Sequence, residues 1–448
     1  MSELRILQIC HNHPSLHPGG TEIFAHDLFT ALKSVPGVQS AFLACVSGLH
    51  RDPKPGTRLQ AMGHNGDEIL LWSGHYDRFY QSQVDLYGVV PELAAFLRDF
   101  RPDIVHVHHT QLLGMEMLFL IRRVLPRARI VYTLHDYFPI CAHEGQMVTT
   151  REHALCQSAS PDACHRCFPK ATPDKFVLRE THIKNMFRTV DRFLAPSKFL
   201  EQRYVAWGLA PDRIQVMRNG RPAPVPATRL HDTGRGNVFG TFGNVSPFKG
   251  SLVALDAAAR LQALGVGDFE LRIHGGMPFQ TEAFQARFAA ALQAASPAVR
   301  HLGVFDGSTR PALLAAVDWV IVPSIWWENA PLVISEAFQA GKPVLCSDIG
   351  GMAEMVEDGV NGLHFRANDP ADLARIMRRA LSEPDLRVRL AAGIPHVPTI
   401  TECAAEHIRL YQSLRAPLAE TAPALPEHVA ARAADAGLGT IVRFGAPH

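Results

Sequence analysis

Between Pro323 and Pro343 the chain reads PSIWWENAPLVISEAFQAGKP, and two carboxylates, Glu328 and Glu336, stand there with seven residues between them. The apolar run ending at Val322 predicts a strand. A loop then carries Trp326, Trp327 and Glu328, and a helix is expected from about Pro331. Proline suits the first helical position, and Gly341 followed by Pro343 stops the helix. The end of a helix formed by Asn329, Ala330, Pro331, Leu332 and Val333 offers unpaired N–H groups and partial positive charge, worth about 0.3–1 kcal/mol toward an anion at an exposed site. A diphosphate fits such an end, with the two glutamates nearby to accept hydroxyl protons from ribose and sugar. The plainer alternative is an acidic loop and an ordinary surface glutamate.

Two further segments point to an anion. After an apolar run ending at Phe242 comes Gly243-Asn244-Val245-Ser246-Pro247-Phe248-Lys249-Gly250. Lys249 lies just before a predicted helix, where a cation opposes the macrodipole, so a negative partner such as phosphate is implied, unless the lysine is simply solvated. Pro18-Gly19-Gly20-Thr21-Glu22 follows the first predicted strand and opens a helix with Thr21 as its cap. Adjacent glycines let backbone approach a ligand closely, although a strand-to-helix turn needing glycine for geometry alone reads the same way. No GxGxxG follows the first strand and no GxxxxGK[ST] occurs, which argues against a dehydrogenase and a P-loop ATPase.

Eight cysteines in 448 residues make no disulfide scaffold, yet Cys141, Cys156, Cys164 and Cys167 cluster. Four sulfurs suit a tetrahedral structural zinc, but the gaps of 14 and 7 residues are not those of paired knuckles, and His143, His153 and His165 compete as ligands. Reduced thiols lining a loop, or a disulfide, remain alternatives. His106, His108 and His109 end an apolar strand. They are expected to be hydrogen-bonding groups near a polar site rather than a metal site. Trp326 and Trp327 suit either stacking on a sugar or base, or packing beneath their loop.

These residues need a scaffold. Leu4 to Ile9, Asp103 to Val107, Arg129 to Leu134 and Asp191 to Ala195 read as buried strands, with helices over Thr21 to Lys33 and Met115 to Leu125. A second strand–helix series has strands at Val238 to Phe242, Phe269 to His274, Arg300 to Leu302, Trp319 to Val322 and Pro343 to Ser347. Its helices are Leu252 to Leu264, Glu282 to Ala295 and Arg310 to Val317. The alternation predicts α/β architecture, two doubly wound parallel-sheet domains. The expected divisions are 1–222, carrying the cysteine-rich insertion 141–167; 236–395; a last helix within 396–416 that packs back on the first domain; and an Ala/Pro-rich tail, 417–448. The stretch RPAPVPATRLHDTGRG, 221–236, reads as the linker. In open sheets ligands bind beyond the carboxyl ends of strands, so the loops after Ile9, His108, Leu134, Phe242, His274 and Val322 should face one cleft.

A net charge of +1 with 19% charged residues predicts no nucleic-acid partner. MSELRILQIC lacks signal-peptide character, and no apolar run approaches the roughly 18 residues of a span. A cytoplasmic protein is expected, with peripheral attachment to the inner face of the plasma membrane left open.

The ordered segments PGGTE (18–22), DIVHVHH (103–109), TLHDYFP (133–139), APSKF (195–199), Asn219-Gly220, GNVSPFKG (243–250), ENAPLVISE (328–336) and SDIGGMAEMVEDGVNGLHF (347–365) resemble the retaining glycosyltransferases of family 4, the glycosyl transferases group 1. The resemblance runs from Leu4 to about Leu414 and implies the GT-B fold, two Rossmann-like domains facing across a cleft. It implies a nucleotide-sugar donor, a glycan or lipid-linked acceptor, retention of configuration and no catalytic metal. Cofactors beyond the structural zinc named above are not expected. By the same resemblance Lys249 contacts the donor phosphates, Gly19 and Gly20 face them from the opposite domain, Glu336 binds ribose, Glu328 holds the transferred sugar and His135 lies beside it. One position departs: an arginine is usual where Asn244 stands, so Arg218 or Arg221 would have to supply the charge, or activity is low. An inactive sugar-nucleotide-binding scaffold and a nucleotide-sugar epimerase on the same fold are the rival readings. A phosphorylase-like enzyme would need a pyridoxal-phosphate lysine, for which there is no case.

Overall fold

The computed structural model describes residues 3–48, 56–63, 65–223, 236–278 and 280–415. Most of the expected linker and the whole Ala/Pro-rich tail therefore lie outside the described residues.

The first domain opens with β1 (Leu4–His11), α1 (Gly20–Lys33), β2 (Val38–Val46), β3 (Leu59–Met62) and β4 (Glu68–Trp72). A small hairpin of β5 (Tyr76–Asp77) and β6 (Ser82–Gln83) leads to α2 (Leu86–Phe100), β7 (Ile104–Val107), α3 (Met117–Val124) and β8 (Arg129–Thr133). Then come α4 (Pro161–Cys167), α5 (Pro173–Phe187), β9 (Arg192–Ala195), α6 (Lys198–Trp207) and β10 (Ile214–Val216). The eight-stranded sheet has the order β10-β9-β8-β7-β1-β2-β4-β3, parallel except for β3 against β4.

The second domain contains β11 (Val238–Phe242), α7 (Ser251–Ala263), β12 (Glu270–His274), α8 (Glu282–Ala294), β13 (Val299–Gly303), α9 (Arg310–Ala315) and β14 (Trp319–Val322). It continues with α10 (Leu332–Gln339), β15 (Val344–Ser347), α11 (Gly350–Met355), β16 (Gly362–Phe365), α12 (Pro370–Ser382) and α13 (Leu386–Ala392). Its six strands are all parallel in the order β13-β12-β11-β14-β15-β16, the doubly wound 3-2-1-4-5-6 arrangement. The order reverses between β11 and β14, so the loops after those strands flank the crevice.

Burial explains why these runs are strands. β7, β14 and β15 are buried at every position, as parallel strands covered by helices on both faces must be. Trp319 is wholly buried in β14 and satisfies its indole by donating to the Gly236 carbonyl at 3.0 Å.

The last helix, α14 (Ile400–Arg415), returns to the first domain. Cys403, Ala404, Leu410 and Tyr411 pack with Leu4, Ile6, Phe24 and Leu28 of β1 and α1. The Tyr411 hydroxyl also meets His106 Nδ1 of β7 at 2.6 Å. The chain thus crosses between domains twice. The two crossings pair: Arg221 N donates to Pro398 O at 3.0 Å and Ile400 N to Arg221 O at 2.7 Å.

Candidate functional site

The site grows from three loops of the second domain. Gly250 ends the loop after β11 with φ +70°, and a Cβ placed on it would lie 1.7 Å from the Pro323 carbonyl oxygen. Glycine is thus required for this loop to lie directly on the loop after β14. That contact brings Lys249 to Glu328: Nζ and Oε1 are 2.6 Å apart. The same Glu328 oxygen accepts from Ser324 Oγ at 2.8 Å and from Trp326 Nε1 at 2.9 Å. Lys249 also lies 5.5 Å from the Trp326 ring centre, within cation–π range. The third contribution comes from Gly350-Gly351 at the start of α11. A Cβ on Gly351 would lie 1.6 Å from Asn329 O, and its N–H donates to Glu328 O at 2.7 Å. The glutamate's backbone is thereby fixed as firmly as its side chain.

Helix α10 begins at Leu332 behind Pro331, and no side chain caps it. Ala330 and Pro331 lead into it, so the first N–H groups, those of Leu332 and Val333, are directed to the cleft end of the helix. Across the cleft α1 begins at Gly20, one residue earlier than expected, and its cap is Gly19 rather than Thr21. Gly19 has no side chain to occupy the helix end; the Glu22 carboxylate lies there instead, where a Cβ on Gly19 would collide with its Oε2. A Cβ on Gly20 would sit 3.7 Å from Leu332 Cδ1, so the two helix starts face each other. Asn329 Nδ2 closes the floor by donating to His135 O at 2.5 Å.

Glu336 lies on α10 one turn in, almost fully buried, with Oε1 2.7 Å from Arg221 Nη2. Arg310, at the start of α9, binds the same oxygen. Arg310 escaped sequence reasoning because the loop after β13 was not among those singled out. Its position beyond a strand's carboxyl end is the signal that would have found it. Arg221 therefore occupies the cleft, whereas Arg218 is exposed and lines a separate small cavity with Asn219, Ser335 and Pro398. Asn244 is exposed, and it brings no charge.

On the first-domain side, burial holds His135 neutral, with its pKa down at about 3 against an opposing pull from Asp136. The hydrogen bonds run in series: His108 Nε2 lies 2.6 Å from Gln8 Oε1, and His108 Nδ1 lies 3.1 Å from His135 Nε2. If His108 donates to the Gln8 carbonyl oxygen, its Nδ1 accepts from His135 Nε2–H. His106 and His109 are likewise hydrogen-bonded, to Tyr411 and Thr133 and to Asp136 and the Gln111 N–H. Beside them Glu22 has its pKa raised to about 7 by burial, with His11 Nε2 3.2 Å away.

The tryptophans separate. Trp326 lies by Lys249, whereas Trp327 plugs into the first domain. Its indole donates to Cys156 O at 3.1 Å, its ring lies 5.3 Å from Phe199, and Arg203 lies 4.6 Å from its centre. The insertion 141–167 thus borders the second domain, and His153 stacks 6.1 Å from Phe248. Glu354 of α11 adds a cap across the domains, accepting from the N–H groups of Lys198 and Phe199 at the start of α6. Cys141, Cys156, Cys164 and Cys167 are free, and burial raises the thiol pKa of Cys141, Cys156 and Cys164. No three of their sulfurs lie within 4.8 Å of one another; among the described residues the side-chain group with three ligand atoms at that spacing is His13, His26 and Glu68.

The profile described as Glycosyltransferase Family 4 matches residues 18–222, and that described as Glycosyl transferases group 1 matches residues 236–383. Relatives include the D-inositol 3-phosphate glycosyltransferase of Salinispora arenicola, 31% identical over 227 residues, which are 45% of this chain and 50% of that protein. The corresponding protein of Salinispora tropica is 33% identical over 227 residues, 45% of this chain and 46% of that protein. The chain thus spans about half the length of the curated relatives it matches. Among solved structures, sucrose-phosphate synthase from Thermosynechococcus elongatus superposes with a TM-score of 0.68 at 17% identity, covering 93% of this chain and 100% of that one. Anabaena HepE in complex with UDP and glucose gives 0.64 at 18% identity, covering 92% and 100%. These likenesses establish the two-domain GT-B fold. With its two halves matched in order by the two profiles, the chain belongs to the family 4, group 1 glycosyltransferases.

Proposed function

We propose that the protein transfers a hexose-type sugar from a nucleoside-diphosphate donor to a hydroxyl of a glycan or lipid-linked acceptor, retaining configuration and using no catalytic metal. The observation that carries this reading is the convergence of Lys249, Glu328 and the uncapped start of α10 opposite Gly19 and Gly20. In this reading the bond from the anomeric carbon to the diphosphate oxygen lengthens. Positive charge then grows on the sugar and negative charge on the leaving diphosphate. Lys249 and the N–H groups of Leu332 and Val333 are aimed at that negative charge before it develops, the kind of preorganisation that usually dominates catalysis. Glu328 orients the sugar hydroxyls and Glu336 the ribose. Arg221 and Arg310 supply the charge absent at Asn244. The acceptor hydroxyl bonds to the anomeric carbon from the face the diphosphate leaves, and its proton passes to the departing phosphate oxygen. His135, kept neutral, borders the sugar without competing for that proton.

A UDP-sugar is the first donor to try, because HepE, which shares the fold, binds UDP and glucose. Among the described residues no helix is long and apolar enough to cross a membrane. The test is nucleoside-diphosphate release from UDP-, GDP- and ADP-sugars, with and without EDTA. Release with one base that survives EDTA and is lost in Lys249→Ala supports transfer. Tight nucleotide binding without release in any combination supports an inactive scaffold, the reading that Asn244 favours.

A further inference from the structure

We propose that His13, His26 and Glu68 form a binding site for a first-row divalent cation, zinc in preference, on the outer side of the glycine-rich loop. The three come from separate elements: His13 from the loop after β1, His26 from α1 and Glu68 from the first position of β4. Their ligand atoms all lie within 4.8 Å of one another. His13 Nε2 lies 2.8 Å and His26 Nε2 2.9 Å from the same Glu68 oxygen, Oε2. Two imidazole nitrogens and one carboxylate oxygen are the ligand set of an open zinc site, in which water takes the fourth position. Bond lengths of about 2.0–2.1 Å imply ligand atoms about 3.3 Å apart at tetrahedral angles, so the two nitrogen-to-carboxylate distances need to open by only about half an ångström.

The surroundings suit such a site. His13 is buried, and His26 and Glu68 are each 28% exposed, so an ion and a water have an entry path. Phe42 and Phe29 wall the two rings, with Phe42 5.8 Å from His13 and 5.4 Å from His26 and Phe29 5.6 Å from His26. Ser15 stands behind His13, its Oγ 2.6 Å from Nδ1. With no ion, each Nε2 carries a proton toward Oε2. On binding, each proton resides on Nδ1 instead; for His13 it is donated to Ser15 Oγ, at the expense of the longer hydrogen bond that Nδ1 accepts from Ser15 N at 3.2 Å, and such an outer partner fixes a ligating imidazole.

An ion here would tie the loop at residues 13–19 to α1 and β4. Leu16 N and His17 N both donate to His13 O at 2.9 Å, so the turn that leads to Gly19 and Gly20 hangs from the anchored histidine. The site needs no assumption about sugar transfer and stands or falls by itself.

The experiment uses the full chain without a histidine tag, stripped by chelator and dialysed, with Co²⁺ as the probe. The expected result is about one Co²⁺ per chain in tetrahedral geometry, with visible d–d bands and no thiolate charge-transfer band. Glu68→Gln, nearly isosteric, and His26→Ala, at a partly exposed position, should each weaken binding by at least about 100-fold while far-UV circular dichroism stays unchanged. A Cys164→Ser/Cys167→Ser variant should bind as the wild type does. Co²⁺ should raise the melting temperature of the wild type and not that of Glu68→Gln. Undiminished binding in a folded Glu68→Gln, a thiolate band that the cysteine variant removes, or no binding in the micromolar range would each overturn the site.

Discussion

Arg221 and Glu336, 115 positions apart in sequence, meet at 2.7 Å where the first domain's chain leaves for the second. Neither position is more than a few per cent exposed, and Arg310 joins the same carboxylate oxygen. A single acidic side chain therefore holds two guanidinium groups at the rim of the cleft.

Removing that acid takes the carboxylate partner of Arg310 and leaves Arg221 with Asp27 alone, 3.7 Å away. Glu336→Ala should destabilise the fold by about 3 kcal/mol at most, because breaking a buried pair leaves charge poorly compensated. Arg310→Ala, with Arg221 still in place, should cost clearly less. Melting temperatures of the two variants, compared at one pH, check the order; equal losses would mean that Arg221 and Glu336 do not depend on each other.

Lys249→Ala should lower turnover by roughly 10²–10³ with little loss of stability, since the lysine is well exposed and acts on developing charge. The relevant comparison is kcat for nucleotide release beside the melting temperature. A normal rate would remove Lys249 from the reaction.

Gly250→Ala should lose activity by another route. A Cβ at φ +70° facing the Pro323 carbonyl at 1.7 Å forces apart the two loops that seat Lys249 and Glu328. Strain of this kind costs about 1–3 kcal/mol, so the melting temperature should fall together with the rate. That joint fall separates this variant from Lys249→Ala.

Acid sensitivity should come from histidines. Burial lowers the pKa of His135 to about 3 and of His407 to about 4, and pushes His106 and His108 well below the ordinary 6.5. These rings are neutral when folded and protonated when unfolded below pH 6.5, so each removes about 1.4 kcal/mol of stability per pH unit as pH falls from 6.5 toward its folded value. Glu22, raised to about 7, opposes them, since its burial costs stability as pH rises from 4.5 to 7 and nothing below. Four rings outweigh one carboxyl. Melting temperatures between pH 5 and 8 should fall steeply on the acid side, and His407→Gln should flatten the slope. An unchanged slope would show that the rings titrate normally.

The two domains and the carboxylate-bearing loop were legible in the sequence because local pattern suffices for them: apolar runs, glycine at turns, proline and glycine bounding α10. The segment from Val38 to Phe100 was not read, and it holds β2, β3, β4 and α2. β4 is short, β3 runs antiparallel at the sheet edge, and Pro91 sits inside α2, so no single period runs through it. The start of α1 was misplaced by one residue because a threonine after two glycines looks like a cap until the backbone shows Gly19 filling that role. Arg310, the contacts of Trp327 and the His13–His26–Glu68 group were hidden for a different reason. Each acts through a contact made only in three dimensions, and nothing adjacent to it in sequence hints at its partner.

The paired crossings at Arg221 and at Pro398–Ile400 have a mechanical consequence. One strip of chain between two bodies swivels freely, but two strips hydrogen-bonded edge to edge behave as a leaf spring, compliant to bending across its face and stiff against torsion. Torsion of one lobe against the other would have to break both hydrogen bonds of the Arg221–Thr399 bridge, whereas bending across it would not.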